Sequence, residues 1–177
     1  VGATVGMLVY GASIAHLSIM NDQAESYRVL TGAGTVKKVL GENKTNYELG
    51  GAGAHFEESG EIEMVFDSEE QVIDHTRLLL KLFYPSDILP SIARDPKLAP
   101  LDVPKDAGIV FGRDAIKSHV DHGLFHETRS GLKDAGGILS GYASLAGTPV
   151  TLVATATDYG LSHAKAFKKV VQLVEAA

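Results

Sequence analysis

The chain has 177 residues, of which 45% are hydrophobic and 21% charged, and its formal net charge is −6. This composition is typical of a packed globular protein, and an acidic balance without a Lys/Arg-rich cluster argues against nucleic acid or an anionic membrane as a partner. The sequence has no cysteine, which excludes disulfides, thiolate catalysis and zinc–thiolate sites.

The first twenty residues, VGATVGMLVYGASIAHLSIM, are the most apolar stretch. Small residues and His16 interrupt it, so it predicts buried core rather than a membrane span, which needs about 18 apolar residues in a row. It also lacks the basic start of a signal peptide. His16 is interpreted as a core histidine. Because Val1 already lies in an apolar segment, we expect a piece of a longer polypeptide. The lack of cysteine fits the cytoplasm or, in a eukaryote, the mitochondrial matrix or a plastid.

Short elements are predicted next: strands at AHLSIM and YRVL, a helix at GTVKKVLGE that ends at Gly41, a helix at NYELGGAGAH and a strand at EIEMVF. The segment DSEEQVIDHTRLLLKLF predicts a helix more strongly than any other segment, with Ser68 as its cap and His75 half-exposed. The apolar face of this helix is expected to comprise Val72, Ile73, Leu79, Leu80 and Leu82.

Proline marks the predicted boundary between two units. Five of the six prolines fall within about twenty residues, at Pro85, Pro90, Pro96, Pro100 and Pro104. Proline fixes φ and removes a hydrogen-bond donor, so such a stretch predicts a connection. We expect one unit at residues 1–84, a linker at 85–105 and a second unit at 106–177.

The second unit is predicted to begin with a helix at GRDAIKSHVDHG, closed by Gly123. Two strands joined by a tight turn at AGTP should follow, and then an amphipathic helix capped by Ser162. Strands and helices in both units indicate an α/β class.

The stretch LGGAGAHFEESG carries a resemblance to a known family. Residues 31–83 resemble the late part of the first crotonase-like half of the biotin-dependent carboxyltransferases. These include the β subunits of acetyl-CoA and propionyl-CoA carboxylases and related acyl-CoA decarboxylases. The matching residues are Thr31, Gly32, Lys37, Gly41, Glu42, Leu49, Gly50, Gly51, Ala52, His55, Ser59 and Gly60. Ala33 stands where the family usually has proline.

RDAIKSHVDHGLFHE and LSGYASLAGTPVTLVATAT resemble the beginning of the second half of the same family. The matches in the first string are Arg113, Val120, Asp121, Gly123, Phe125 and Glu127. The second string resembles the first hairpin of a crotonase-like half, with Ala154 and Thr155 where Ala-Asn is usual.

The resemblance implies an α/β, crotonase-like (ClpP/crotonase) fold. Residues 1–84 would end the N-terminal carboxyltransferase half and residues 106–177 would start the C-terminal half, with a Pro-rich linker between these two partial halves. The implied activity is carboxyl transfer between carboxybiotin and the α-carbon of an acyl-CoA through a stabilised enolate. A decarboxylase subunit of the same family and a non-catalytic structural subunit are the alternatives.

The same resemblance implies site residues, cofactors and partners. Biotin would sit on a separate carrier domain or subunit, and a coenzyme A thioester would be the substrate. The partners would be biotin carboxylase and biotin carrier components, together with further copies in a homo-oligomer. The pocket for acyl-CoA or biotin would be supported by Gly50, Gly51, Ala52, His55, Ser59 and Gly60; close helix packing alone is the other interpretation. VGATVGM lies near a family glycine loop but lacks the Gly-Gly pair, so no catalytic residue is assigned.

The histidines of HVDHGLFHE offer a metal-site hypothesis. His122 and His126 have the i, i+4 spacing of a helical metal pair. Gly123 lies between them and is expected to end the helix, and the family pattern accounts for the neighbouring residues. We therefore expect no metal.

Overall fold

The computed structural model describes residues 2–84, 113–155 and 169–171. The predicted linker 85–105 and the Ser162 cap lie outside these residues. The chain divides into two compact units: Val1–His75 with Gly131–Lys133, and Thr76–Ser130 with Asp134–Ala177.

The first unit contains four short strands in two parallel pairs. β1 (Ala3–Val5) pairs with β3 (Tyr27–Val29), and β2 (Ile19–Asn21) pairs with β4 (Met64–Phe66). α1 (Leu8–Ser13) separates β1 from β2. The strands predicted at AHLSIM, YRVL and EIEMVF are therefore present, each only three residues long.

Three helical segments join β3 to β4. α2 (Ala33–Leu40) ends at Gly41, whose φ of 74° is the left-handed conformation that glycine adopts readily. α3 (Asn46–Gly50) starts with a reciprocal capping box between Thr45 and Glu48. A π-helix spans Gly53–Glu58. The single helix predicted at NYELGGAGAH is therefore wrong, since the chain leaves the helical conformation at Gly51 (φ −80°, ψ −169°).

The core of the first unit lies between β2, the π-helix and the approach to β4. Met20, Ala52 and Ile62 are buried together, and Phe56 and Val65 pack against them. Only part of the first twenty residues is buried as the sequence predicts: Val9 and Met20 are buried, but other apolar side chains of the stretch are not. Met7 is 85% exposed and Ile14 84%, and His16 is also exposed.

α4 (Glu69–Phe83) closely matches the helix predicted at DSEEQVIDHTRLLLKLF. Ser68 Oγ accepts a hydrogen bond from the Gln71 N–H, as expected of a cap, and His75 is half-buried. Val72, Leu79 and Leu82 are buried, but Ile73 and Leu80 are 45% and 40% exposed. The buried face is therefore narrower than the predicted one.

In the second unit, α5 (Arg113–His119) ends four residues before the predicted Gly123. A 3₁₀ turn (Asp121–Gly123) follows. β5 (Phe125–Glu127), β6 (Ile138–Leu145) and β7 (Thr148–Thr155) form an antiparallel sheet in that order. The core of this unit is built from Ile116, Val120, Leu139 and Ala143.

Among the described residues, no helix is long and apolar enough to cross a membrane.

Candidate functional site

The glycines of the small-residue run allow contacts too close for any side chain. A Cβ on Gly50 would lie 2.1 Å from the Arg28 carbonyl oxygen and 2.7 Å from Val29 Cγ1. A Cβ on Gly51 would lie 2.6 Å from the ring of Tyr47. Real Cβ atoms do not approach other atoms so closely, so glycine is required where α3 meets β3 and where the chain turns past Tyr47.

His55 is held by the same carbonyl that Gly50 approaches. Its Nε2 lies 2.8 Å from the Arg28 carbonyl oxygen. A carbonyl only accepts, so Nε2 carries the proton in this contact. The other ring nitrogen, Nδ1, is buried and has no hydrogen-bond partner.

The remaining predicted site residues, Ala52, Ser59 and Gly60, each have a different structural role. Ala52 is 5% exposed and belongs to the core. Ser59 is exposed, and its Oγ donates to the His55 carbonyl oxygen 3.3 Å away. Gly60 is buried with a φ of 69°, so it allows the turn from the π-helix toward β4. His55 and Ser59 therefore tie this turn by hydrogen bonds.

A groove of about 610 Å³ opens beside the π-helix of the first unit. Three small residues of the run, Ala52, Gly53 and Ala54, contribute to its lining. The other lining residues are Asp22, Tyr47, Glu48, Phe56, Glu57, Glu58, Val65 and Lys133.

Four carboxylates and one ammonium give this groove a negative rim. The Tyr47 hydroxyl donates to Asp22, and this hydrogen bond raises the pKa of Tyr47. The Lys133 ammonium pairs with Glu58 and lies 3.5 Å from Glu57 Oε2, and the Glu58 contact raises the pKa of Lys133. The residues that line the groove therefore favour a cation over an anion.

Segment Gly131–Lys133 also packs on the π-helix. A Cβ on Gly131 would lie 2.3 Å from Phe56 Cε1. The Lys133 N–H donates to the Glu57 carbonyl oxygen at 2.9 Å. This contact places the Lys133 side chain in the groove.

A cluster of buried polar side chains links the strands of the first unit. Arg28 is 8% exposed and Glu63 7%. Glu63 Oε2 accepts from the Ser18 N–H at 2.5 Å, and Arg28 Nη2 donates to Ser18 Oγ at 3.4 Å. Ser18 Oγ in turn donates to the Ala12 carbonyl oxygen. Burial lowers the pKa of Arg28, and Glu63 partly offsets this effect.

The glycine turn between β1 and α1 is formed by Gly6 in the left-handed conformation, with a φ of 64°. Its N–H donates to the Val29 carbonyl oxygen at 3.0 Å. This donor is therefore used inside the fold.

In the second unit the matched charged residues hold the fold together. Arg113 forms a two-point ion pair with Glu127, at 2.5 Å and 2.8 Å. Asp121 is fully buried, and its Oδ2 accepts from Ser144 Oγ at 2.6 Å and from the Gly147 N–H at 2.7 Å. Asp121 thus anchors the β6–β7 turn, where Ala146 and Gly147 both have positive φ.

Lys169 is fully buried, unlike the other lysines whose placement is described. Its Nζ donates to the Ile138 carbonyl oxygen at 2.7 Å and lies 3.5 Å from Glu127 Oε1. Burial lowers its pKa more than the neighbouring carboxylate raises it. Nothing in the sequence pattern indicates this burial.

The histidine cluster is spread over different environments. His122 lies in the 3₁₀ turn with a φ of 55°, whereas His126 is buried on β5 opposite Tyr142. The residues with described placement contain no group of three or more side chains suited to hold a metal ion.

Comparison with known structures places this arrangement in a fold class. A crystal structure of the transcarboxylase 12S hexamer, with methylmalonyl-CoA and methylmalonic acid bound, matches 87% of the chain. The TM-score is 0.65 at 25% identity, and the match covers 31% of that protein. The fold is therefore mixed α/β and crotonase-like.

The family model described as the carboxyl transferase domain matches residues 1–177. The chain therefore belongs to the carboxyl transferase domain family, and the predicted family is confirmed.

Curated relatives carry related names. The biotin-dependent acetyl-/propionyl-CoA carboxylase β5 subunit of Mycobacterium tuberculosis is 36% identical over 86 residues, 49% of this chain and 16% of that protein. The methylmalonyl-CoA carboxyltransferase 12S subunit of Propionibacterium freudenreichii is 29% identical over 167 residues, 86% of this chain and 30% of that protein. The chain thus spans less than a third of the length of these relatives.

Proposed function

We propose that the chain is part of the carboxyltransferase component of a biotin-dependent acyl-CoA carboxylase. The match of the family model over residues 1–177 carries this proposal, and the names of the relatives support it. The reaction moves a carboxyl group between carboxybiotin and the α-carbon of an acyl-CoA. It passes through an enolate, whose oxygen is stabilised by preorganised hydrogen-bond donors. Biotin on a separate carrier supplies the carboxyl group.

The small-residue run is proposed to support the acyl-CoA or biotin pocket rather than to react. Gly50 packs against the main chain of Arg28, and His55 donates a hydrogen bond to the same main chain. Ser59 donates to the His55 carbonyl oxygen. Gly51, Ala52 and Gly60 supply close packing and a turn. These hydrogen bonds of His55 and Ser59 are to main chain, so the run is proposed to fix the position of α3 and the π-helix.

The groove beside the π-helix does not fit the phosphates of CoA. Its rim carries four carboxylates against one ammonium, and like charges repel the anionic ligand. No step of the transfer is therefore assigned to the residues of the groove.

A non-catalytic structural subunit is the second candidate function. The stretch VGATVGM resembles the neighbourhood of a family glycine loop, and its turn contains Gly6. The Gly6 N–H already donates to the Val29 carbonyl oxygen. A chain that kept the packing residues and lost its oxyanion donors would have this arrangement. Biotin carboxylase, the biotin carrier and further copies of the chain would be its partners in either case.

A label-transfer experiment tests the proposal. The purified chain is mixed with a biotin carrier that bears [¹⁴C]carboxybiotin, and with acetyl-CoA or propionyl-CoA. Label in an acid-stable acyl-CoA product supports the carboxyltransferase. Binding of acyl-CoA without label transfer supports the structural subunit, and sodium-dependent release of CO₂ from malonyl-CoA identifies a decarboxylase. If the chain neither binds acyl-CoA nor transfers the label, the proposal is overturned.

A further inference from the structure

The groove of the first unit has a floor that a partner chain can approach closely. Gly53 has no side chain, and Ala52 and Ala54, which also line the groove, carry only a methyl group. The position of a Cβ on Gly53 has no atom within 4 Å. Open space therefore reaches the backbone of the π-helix. A volume of about 610 Å³ holds several side-chain groups rather than a single ion.

The charge of the lining selects the class of occupant. Asp22, Glu48, Glu57 and Glu58 give four negative charges, and among the lining residues that the structure describes Lys133 is the one cation. The Lys133 ammonium is already paired with Glu58 and close to Glu57. The groove is therefore complementary to a positive charge.

Aromatic side chains favour the same occupant. Tyr47 and Phe56 line the groove together with the carboxylates. An ammonium or guanidinium group is attracted to the face of an aromatic ring, and this attraction is stronger where water is partly excluded. The long aliphatic part of a lysine or arginine side chain also packs on apolar surface such as Val65 and Ala54.

From the apolar floor, the aromatic walls and the acidic rim, we propose that this groove docks a lysine- or arginine-bearing segment of a partner protein. The occupant enters with its basic side chain between the carboxylates and its main chain over Gly53. Lys133 competes for Glu57 and Glu58 from within the chain, so its ammonium acts as an internal substitute for the partner's cation. This docking does not depend on the carboxyl-transfer activity.

Fluorescence anisotropy with labelled tetra-lysine tests the proposal on the full chain, with labelled tetra-glutamate as the reference probe. We expect tetra-lysine to bind at least about tenfold more tightly than tetra-glutamate at low salt, and to lose affinity as salt is added. Spermine is included as a competitor, since a docking groove for a peptide must prefer tetra-lysine to a free polyamine.

Two uncharged substitutions separate the groove from the general acidity of the chain. Gly53→Phe places a ring at a lining position where the Cβ itself meets no atom within 4 Å, and it should weaken tetra-lysine binding by about tenfold or more. Gly34→Phe is the matched control, because Gly34 is exposed on α2 and also has nothing within 4 Å of a Cβ. It should leave the affinity unchanged.

A gain of binding completes the test, since a misfolded variant cannot mimic it. Lys133→Met removes the competing ammonium and should tighten tetra-lysine binding about two- to fivefold, the range expected for one exposed ion pair. Lys38→Met changes the net charge equally but lies on α2, so it should have a smaller effect. The proposal is overturned if tetra-lysine binds no better than tetra-glutamate or spermine. Equal effects of the two substitutions in either matched pair would overturn it as well.

Discussion

His55 and Gly50 meet at one atom, the main-chain carbonyl oxygen of Arg28. The imidazole Nε2 lies 2.8 Å from this oxygen, and a Cβ on Gly50 would lie only 2.1 Å from it. The Arg28 side chain extends to Ser18, whose N–H donates to Glu63. Arg28 of β3 therefore connects the Gly-Gly and His positions of the family pattern to the buried side chains of Ser18 and Glu63. Each of these contacts can be tested separately.

Gly50→Ala tests the close approach of α3 to β3. The added methyl would collide with main chain, which cannot move aside as a flexible side chain can. We expect a loss of about 1–3 kcal/mol in the free energy of unfolding, the usual cost of overpacking. Gly53→Ala is the matched control, because nothing lies within 4 Å of its Cβ. Urea unfolding should show this control to be neutral or stabilised, and equal destabilisation of both variants would contradict the close-contact explanation.

His55→Leu tests the hydrogen bond to the Arg28 carbonyl. Removal of the donor leaves a part-buried acceptor without its partner, which costs about 1–3 kcal/mol. His55→Gln retains a donor and should recover part of this loss in urea unfolding. If leucine and glutamine destabilise equally, packing of the imidazole rather than its hydrogen bond supports the turn.

Local signals in the sequence predict several helix ends in the first unit. Gly41 closes α2 and Ser68 caps α4 as expected, because both signals act within one helical turn. The break of the predicted NYELGGAGAH helix at Gly51 could not be predicted this way. It depends on contacts with β3 and with the Tyr47 ring, which only the folded chain brings together.

Burial was harder to predict than helices and strands. Met7 and Ile14 are apolar but exposed, since hydrophobicity does not say which neighbouring surface is present to cover them. Asp121 and Lys169 are charged but buried, because specific partners satisfy them: the β6–β7 turn for Asp121, and the Ile138 carbonyl with Glu127 for Lys169. The resemblance to the family includes Asp121 but does not predict its burial. No pattern around Lys169 indicates its burial. The pocket role of the small-residue run stays a prediction.

Asp121→Ala is expected to destabilise the second unit strongly. One carboxylate oxygen accepts from both Ser144 and Gly147, and both bonds are charge-assisted. Their loss should cost about 2–4 kcal/mol, whereas Ser144→Ala, which removes one of them, should cost about 1–2 kcal/mol. Thermal unfolding of both variants measures the difference. Equal losses would show that the Gly147 contact contributes nothing to the anchor.

The two partners of the Lys169–Glu127 pair should respond unequally. Lys169→Met leaves Glu127 paired with Arg113 and removes a buried charge, so we expect stability to be unchanged or increased. Glu127→Gln leaves two cations without their carboxylate and should cost about 3 kcal/mol. The free energy of urea unfolding compares them. A large loss for Lys169→Met would mean that its hydrogen bond to the Ile138 carbonyl outweighs the cost of burial.

His75 should make the stability of the chain depend on pH on the acid side. It is half-buried against Phe66, with ring centroids 4.7 Å apart, and burial lowers its pKa below the ordinary value of 6.5 for histidine. The unfolded chain therefore binds the proton more readily than the folded chain. The stabilisation is fully present above pH 6.5 and is lost as the pH falls through the folded-state pKa. His75→Gln should accordingly show a smaller decrease in melting temperature between about pH 7 and pH 5 than the unsubstituted chain. His16→Gln, at an exposed histidine, is the matched control and should keep the original decrease. If both variants follow the unsubstituted chain, the acid sensitivity comes from groups other than His75.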